Sequence, residues 1–191
     1  MELLRRKFRI IIGCLVILMA VFSGVKIARA AEFNPNLIIT DQEITDTNAM
    51  SLAEIQKFLE ERNSFLATYQ TTDYYGATRT AAEIIYNAAV NNYDCSGIDM
   101  INSQDYNEAK SKCPKIHISP RFLIVLLQKE QSLIESSSKP KQSQLDWAVG
   151  YGCPDNAACG ERWRGFGKQV NAAALQFYDY IANPRYYKYQ V

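Results

Sequence analysis

The stretch Ser119 to Ile134, SPRFLIVLLQKEQSLI, commits this 191-residue chain to a helical core. Ser119 suits the N-cap of a helix and Pro120 its first turn. At about 100° per residue, Leu123, Leu126, Leu127, Glu130 and Ile134 fall on one stripe. Gln128, Ser132 and Glu135 fall on the other side. Glu130 therefore stands where a leucine is expected. A carboxylate there is costly unless it is paired, protonated or lining a cleft. An acid shielded from water holds its proton more readily, which is how a glutamate comes to act as a general acid. The structural alternative is an inward acid that pairs with an arginine or caps nearby backbone.

Further helices announce themselves by their caps. Ser51 with Glu54 forms a capping box and Met50 with Ile55 a hydrophobic staple. Leu52, Ile55, Phe58 and Leu59 keep helical spacing to about Asn63. Thr80 with Glu83 opens another helix, with Ala81, Ile84, Ile85, Ala88 and Ala89 on its inner face. The last long helix carries Phe166, Val170, Ala173, Ala174, Phe177 and Ile181, and Pro184 ends it. No clear two-residue alternation occurs, so the expected class is mainly α. Residues 64–79 read as a tyrosine- and threonine-rich loop, 93–117 as a polar cysteine-bracketed loop, and 135–145 as a flexible loop.

The first 30 residues read as an export signal. Arg5, Arg6, Lys7 and Arg9 precede an apolar run from Ile10 to Val25, and Ala28-Arg29-Ala30 supplies a signal-peptidase site. The run lies between a signal core and a short membrane span, so cleavage before Ala31 and an uncleaved anchor both stay open. Cys14 falls inside this run. Residues 31–50 read as an extended lead-in, where Leu37-Ile38-Ile39 forms a short strand or packs on the domain. Residues 51–191 read as one α domain. Removing residues 1–30 leaves 15 basic against 19 acidic residues, a net charge of −4. Phosphate binding needs a basic surface, so nucleic acid is not an expected partner.

Four cysteines remain, Cys95, Cys113, Cys153 and Cys159. An even number in an exported chain reads as two disulfides. Of the possible pairings, the local one, Cys95–Cys113 with Cys153–Cys159, is expected. His117 is the only histidine and there is no CxxC pair, so no zinc site is expected. No cofactor is implied. A cysteine protease is not implied either, since His117 and Cys113 both precede the Glu130 helix.

Beyond the Glu130 helix lies DWAVGYGCPDNAACGERWRGFG, from Asp146 to Gly167. Its glycines, Gly150, Gly152, Gly160, Gly165 and Gly167, mark tight turns or close approach to a ligand. An apolar helix with a glutamate, then a glycine-aromatic-glycine turn, then an alanine-rich helix resembles the lysozyme-like superfamily. The likeness is to soluble lytic transglycosylases and goose-type lysozymes. Glu130 matches their acid, Gly150-Tyr151-Gly152 the start of their glycine turn, and Phe166-Gly167-Lys168-Gln169 the element after it. The chain also resembles a family of exported bacterial proteins that carry LQKEQ, GYGCPD, a second cysteine and a GFxxQ segment, over most of residues 33–190. Departures are Gln131 in place of the usual serine after the acid, the missing Met-Gln pair of the turn, and no counterpart of the late tyrosine-asparagine-glycine helix. The C-terminal lobe is expected to be incomplete at Val191.

The resemblance implies a lysozyme-like domain that cleaves peptidoglycan or a related N-acetylated glycan at the cell envelope or outside the cell. Glu130 would be general acid and then base, with the substrate's acetamido group as internal nucleophile and an anhydro sugar as product. A water-activating second acid would point to hydrolysis. Asp146 is the first candidate, ahead of Asp155 and Glu161, and its structural alternative is a cap. Trp147, Tyr151, Trp163 and Phe166 could stack on sugar rings around Gly150 and Gly152. Gln128 and Gln169 could bond acetamido groups. Arg162 and Arg164 could meet peptide carboxylates or pair with Glu161 and other surface acids. Against the enzyme stands a non-catalytic lysozyme-like module that binds glycan or another surface partner. Any membrane contact would come through residues 1–30 if uncleaved.

Overall fold

The computed structural model describes residues 37–95 and 111–187. Its contacts divide the chain into two units, Met1–Ile38 and Ile39–Val191. In the first, only Leu37 and Ile38 are described, and neither is in a strand. The expected signal or anchor at residues 1–30 lies outside the described residues. Among the described ones, no helix is long and apolar enough to cross a membrane.

The second unit is mainly α. Its helices are α1 (Asp41–Ile44), α2 (Leu52–Glu61), α3 (Ala81–Val90), α4 (Pro120–Gln131), α5 (Gln142–Asp146) and α6 (Phe166–Ala182). Short 3-10 turns occupy Phe65–Ala67, Glu161–Trp163 and Pro184–Tyr186. Strands β1 (Gln70–Thr72) and β2 (Thr78–Thr80) form an antiparallel hairpin with Gln70 opposite Thr80 and Thr72 opposite Thr78.

Local chemistry starts α1, α2 and α3. Each opens with a complete capping box: Thr40 with Glu43, Ser51 with Glu54, Thr80 with Glu83. In each pair the hydroxyl accepts from the glutamate's N–H, and the carboxylate accepts from the cap's N–H. The backbone N–H bond, then the hydroxyl bond, hold all three carboxyls below the usual glutamate range. A lowered folded-state value means that this stabilisation is full above the ordinary glutamate pKa. It is lost as pH falls through the lowered one.

Several elements depart from the expected lead-in and loops, and α5 begins at Gln142, inside the stretch read as a flexible loop over residues 135–145. Thr40 with Glu43 is the same signature as the other two caps, but α1 is too short to show a helical period. The hairpin replaces the loop read over residues 64–79. Its three-residue strands, QTT and TRT, carry no apolar alternation, so only β-branched threonines hint at them. Asp73 shapes the turn by accepting from Tyr75 N and Ala77 N on Oδ1 and from Arg79 Nε on Oδ2.

The core gathers around α3. Ala81, Ala82, Ile84, Ile85, Ala88 and Ala89 are buried, and α2, α4 and α6 pack against them. Ile55 and Leu59 come from α2, Leu123, Ile124 and Leu127 from α4, and Phe166, Val170, Ala173 and Ala174 from α6. Alanines on α3 and α6 let the helix axes approach closely. The anchoring of α4 differs from expectation at both ends. Ser119 occupies the N-cap position, but its side chain caps nothing; its N–H donates to Ile44 O at 2.8 Å. The helix stops at Gln131 because Ser132 turns left-handed at φ 54°, so Ile134 is buried from the following loop.

Both expected disulfides are present. Cys95–Cys113 spans a Cα separation of 5.0 Å and Cys153–Cys159 one of 4.1 Å. Residues 96–110 of the first loop lie outside the described residues.

The hairpin is held against α6 at Gly167. A Cβ built there would sit 2.4 Å from Thr72 O and 2.6 Å from Asp73 Cα, both backbone atoms. Gly167→Ala must therefore push helix and hairpin apart, at a cost of about 1–3 kcal/mol typical of overpacking. Urea unfolding measures this; an unchanged midpoint would mean that the two elements do not meet as described.

Candidate functional site

Periodicity assigned Glu130 to the apolar stripe of α4, but the structure leaves it exposed. It lies in the last turn of α4, and its side chain is 32 % exposed. It is not buried among leucines as expected. Lys129 Nζ sits 2.6 Å from Glu130 Oε1, but the Lys129 side chain is 73 % exposed. An ion pair so open to water contributes little and does not seal the carboxylate. The outward face of α4 is marked by Val125, which is exposed.

Gln128 is half-buried and turned toward the chain that follows α4. Its Oε1 accepts from Ile134 N and Glu135 N, both at 3.1 Å, and its Nε2 donates to Glu135 Oε2 at 3.4 Å. It secures the chain leaving α4 and is occupied by protein, not by a sugar. Gln144 Nε2 donates to Gln131 O at 3.1 Å, which ties α5 to the end of α4.

Asp146 ends α5 as a buried structural tie. Arg164 Nε donates to its Oδ2 at 2.8 Å and Gln142 Nε2 to its Oδ1 at 2.9 Å. Gly165 N donates to Asp146 O, so the residue also anchors the start of α6. Arg164 makes a second contact with Glu161 Oε2 at 3.4 Å, and these acceptors hold its pKa above the usual value. The surface-acid reading of Arg164 is the one the geometry bears out. With both oxygens engaged, Asp146 is poorly placed to activate water.

Gln169 is fully buried and is the hub of the glycine turn. Its Oε1 accepts from Tyr151 N (2.9 Å) and Val149 N (3.4 Å), and its Nε2 donates to Tyr151 O and Trp163 O (2.9 Å each). All its bonding goes to backbone, so it is not an acetamido ligand. Phe166 is buried beside Tyr69, with ring centroids 5.8 Å apart, and offers no face to a sugar.

The glycine turn closes on Trp163. Gly150 and Gly152 both take positive φ, 70° and 72°, and a Cβ on Gly152 would lie 2.4 Å from Trp163 Cδ1. The close approach that glycine permits there is to this indole. Tyr151 meets Trp163 edge to face at 4.9 Å, and the Arg162 guanidinium lies 4.6 Å from the same ring centroid. Tyr151, Trp163 and Trp147 are all half-buried. The structure thus joins Asp146, Tyr151, Gly152, Trp163 and Gln169 in one frame. Glu130 makes no hydrogen bond to it, and the link runs through Gln131 and Gln144.

A second feature escaped the sequence reading. The hairpin turn, α3 and α6 line a small open cleft that includes Asp73, Tyr74, Tyr75, Asn87, Asn91 and Asn171. Asn171 lies on the inner side of α6, between Val170 and the buried alanines, and is itself buried. The criterion that singled out Glu130, a polar residue among apolar ones on a helix, applies to it equally. Among the described residues, no group of three or more His, Cys, Asp or Glu side chains is placed to hold a metal ion.

Fold and frame define a mainly helical, disulfide-stapled domain. Compared with protein-family models, with curated proteins and with solved structures, the chain matches none.

Proposed function

We propose that this chain is an exported, one-acid glycan-cleaving enzyme acting on peptidoglycan, with Glu130 as its acid. The observation that carries the reading is the contrast between two carboxylates. Glu130 is part-covered at a helix end with only an exposed lysine beside it, whereas both oxygens of Asp146 are engaged. Hydrolysis with two carboxylates needs both to be available. A one-acid route needs only Glu130. It protonates the glycosidic oxygen while the substrate's acetamido oxygen attacks C1 and the leaving sugar departs as an alcohol. Glu130 then takes the proton of the C6 hydroxyl as that oxygen displaces the acetamido group, closing a 1,6-anhydro ring.

The resemblance of LLQKEQ and GYG to lytic transglycosylase motifs supports the substrate class. The signal-like residues 1–30 and the two disulfides support an oxidising location outside the cytoplasm. A non-catalytic glycan-binding module is the second reading. Gln131, in place of the usual serine after the acid, favours it.

The test is incubation of the protein with purified peptidoglycan and mass spectrometry of the soluble fragments. Anhydro-muramyl ends are expected. Reducing ends would indicate hydrolysis, with water in place of the C6 hydroxyl, and an absence of fragments at high enzyme loading would leave the binding module.

A further inference from the structure

We propose that the cleft between the β1–β2 hairpin, α3 and α6 is a binding subsite for the acetamido group of an N-acetylated sugar, with Asn171 as its recognition residue. Asn171 is 5 % exposed, yet its Nδ2 is buried with no hydrogen-bond partner among the described residues. An unpaired buried amide donor destabilises a fold, and such groups are rare unless a bound molecule completes them. This one belongs to a residue in the wall of an open cleft.

The rest of the wall defines what fits. Asn91 Nδ2 donates to Asn87 Oδ1 at 2.9 Å, which leaves Asn87 Nδ2 as a donor and Asn91 Oδ1 as an acceptor. Asp73 is in the wall too, but its carboxylate is occupied by Tyr75 N, Ala77 N and Arg79 Nε. The cleft therefore offers amide donors and acceptors without an uncompensated charge, and a cation or a carboxylate finds no counter-ion in it. Ile84 and Ala88 add a small apolar patch, and Tyr74 and Tyr75, edge to face at 5.1 Å, flank the opening. The Tyr75 hydroxyl donates to Asn92 Oδ1 at 3.3 Å, which steadies that ring. An acetamido group matches each part. Its carbonyl accepts from Asn171, its N–H donates to Asn91, its methyl meets Ile84 and Ala88, and the sugar ring lies beside the tyrosines. The enclosed space, about 30 Å³, takes a group as small as the acetamido and not a sugar ring, which stays outside at the tyrosines.

The experiment is an NMR titration of the protein with N-acetylglucosamine, and with glucose as the sugar lacking the amide. The side-chain amide signals of Asn171, identified by their loss in Asn171→Leu, should shift with N-acetylglucosamine and not with glucose. Asn171→Leu removes the orphan amide at similar volume, so it should bind about tenfold more weakly or worse while melting at the same temperature or higher. Asn91→Ala, at the exposed rim, should also weaken binding, and it keeps the test readable if the leucine variant does not fold. The proposal is overturned if no signals move at millimolar sugar, if glucose moves them equally, or if both variants bind like the parent. Binding is read without cleavage, so inactivity toward peptidoglycan leaves this result standing on its own.

Discussion

Glu130→Gln is expected to lower release of soluble peptidoglycan fragments by more than about 10²-fold, the usual weight of a general acid. Glutamine keeps the shape of the side chain and removes the proton that the leaving oxygen must receive. Stability should hardly change. The only partner lost is an exposed lysine, and such pairs contribute about 0–1 kcal/mol. This differs from what the sequence implied, because a fully buried acid would have gained stability on neutralisation. Glu135→Gln is the control. Glu135 is exposed and accepts one long bond from Gln128, so its loss should alter neither activity nor melting. Fragment release by mass spectrometry and melting temperature, measured on both variants, settle the matter. A well-folded Glu130→Gln protein with full activity would remove Glu130 from the chemistry.

Gln169→Ala is expected to cost about 3–4 kcal/mol, near the upper range for a single substitution. The amide's four bonds to Val149, Tyr151 and Trp163 disappear together, and buried backbone groups lose their partners. Gln169→Glu should also destabilise, because a carboxylate cannot donate to the Tyr151 and Trp163 carbonyls. Urea unfolding followed by tryptophan fluorescence reports both the midpoint and the release of Trp163. A sugar-contacting glutamine would behave differently, with weaker ligand binding at an unchanged midpoint. That pattern would refute the hub assignment.

What the sequence disclosed follows from how local the responsible physics is. Ser51, Thr80 and Pro120 start helices through groups within four residues, so α2, α3 and α4 could be read directly. The cysteine pairing was legible because the two short loops bring sequence neighbours together. The inner faces of α3 and α6 followed from periodicity. Other features depend on distant partners. Glu130 was assigned to the apolar stripe, but its exposure depends on where α4 ends, and Ser132 ends it early. Gln169 looks like any polar residue on α6 until the chain of the glycine turn arrives beside it. The hairpin lacks an apolar alternation because it is held by the turn bonds of Asp73 and by the close approach of Thr72 and Asp73 to Gly167 rather than by a sheet face. Asp146 acquires its role from Arg164, 18 residues away.

Thr80 is at once the last residue of β2 and the N-cap of α3, with no residue between them to serve as a hinge. The far strand is wedged against α6 where Gly167 leaves no gap. Hairpin and helix therefore behave as one stiff lever clamped at both ends. Motion at the mouth of the cleft is left to the short turn from Asp73 to Ala77. Within it, Gly76 takes a positive φ with no neighbour near its Cα hydrogens. Any adjustment at this end of the domain therefore falls to a few turn residues, on the nanosecond-to-microsecond scale of loops, and not to the slower separation of helices.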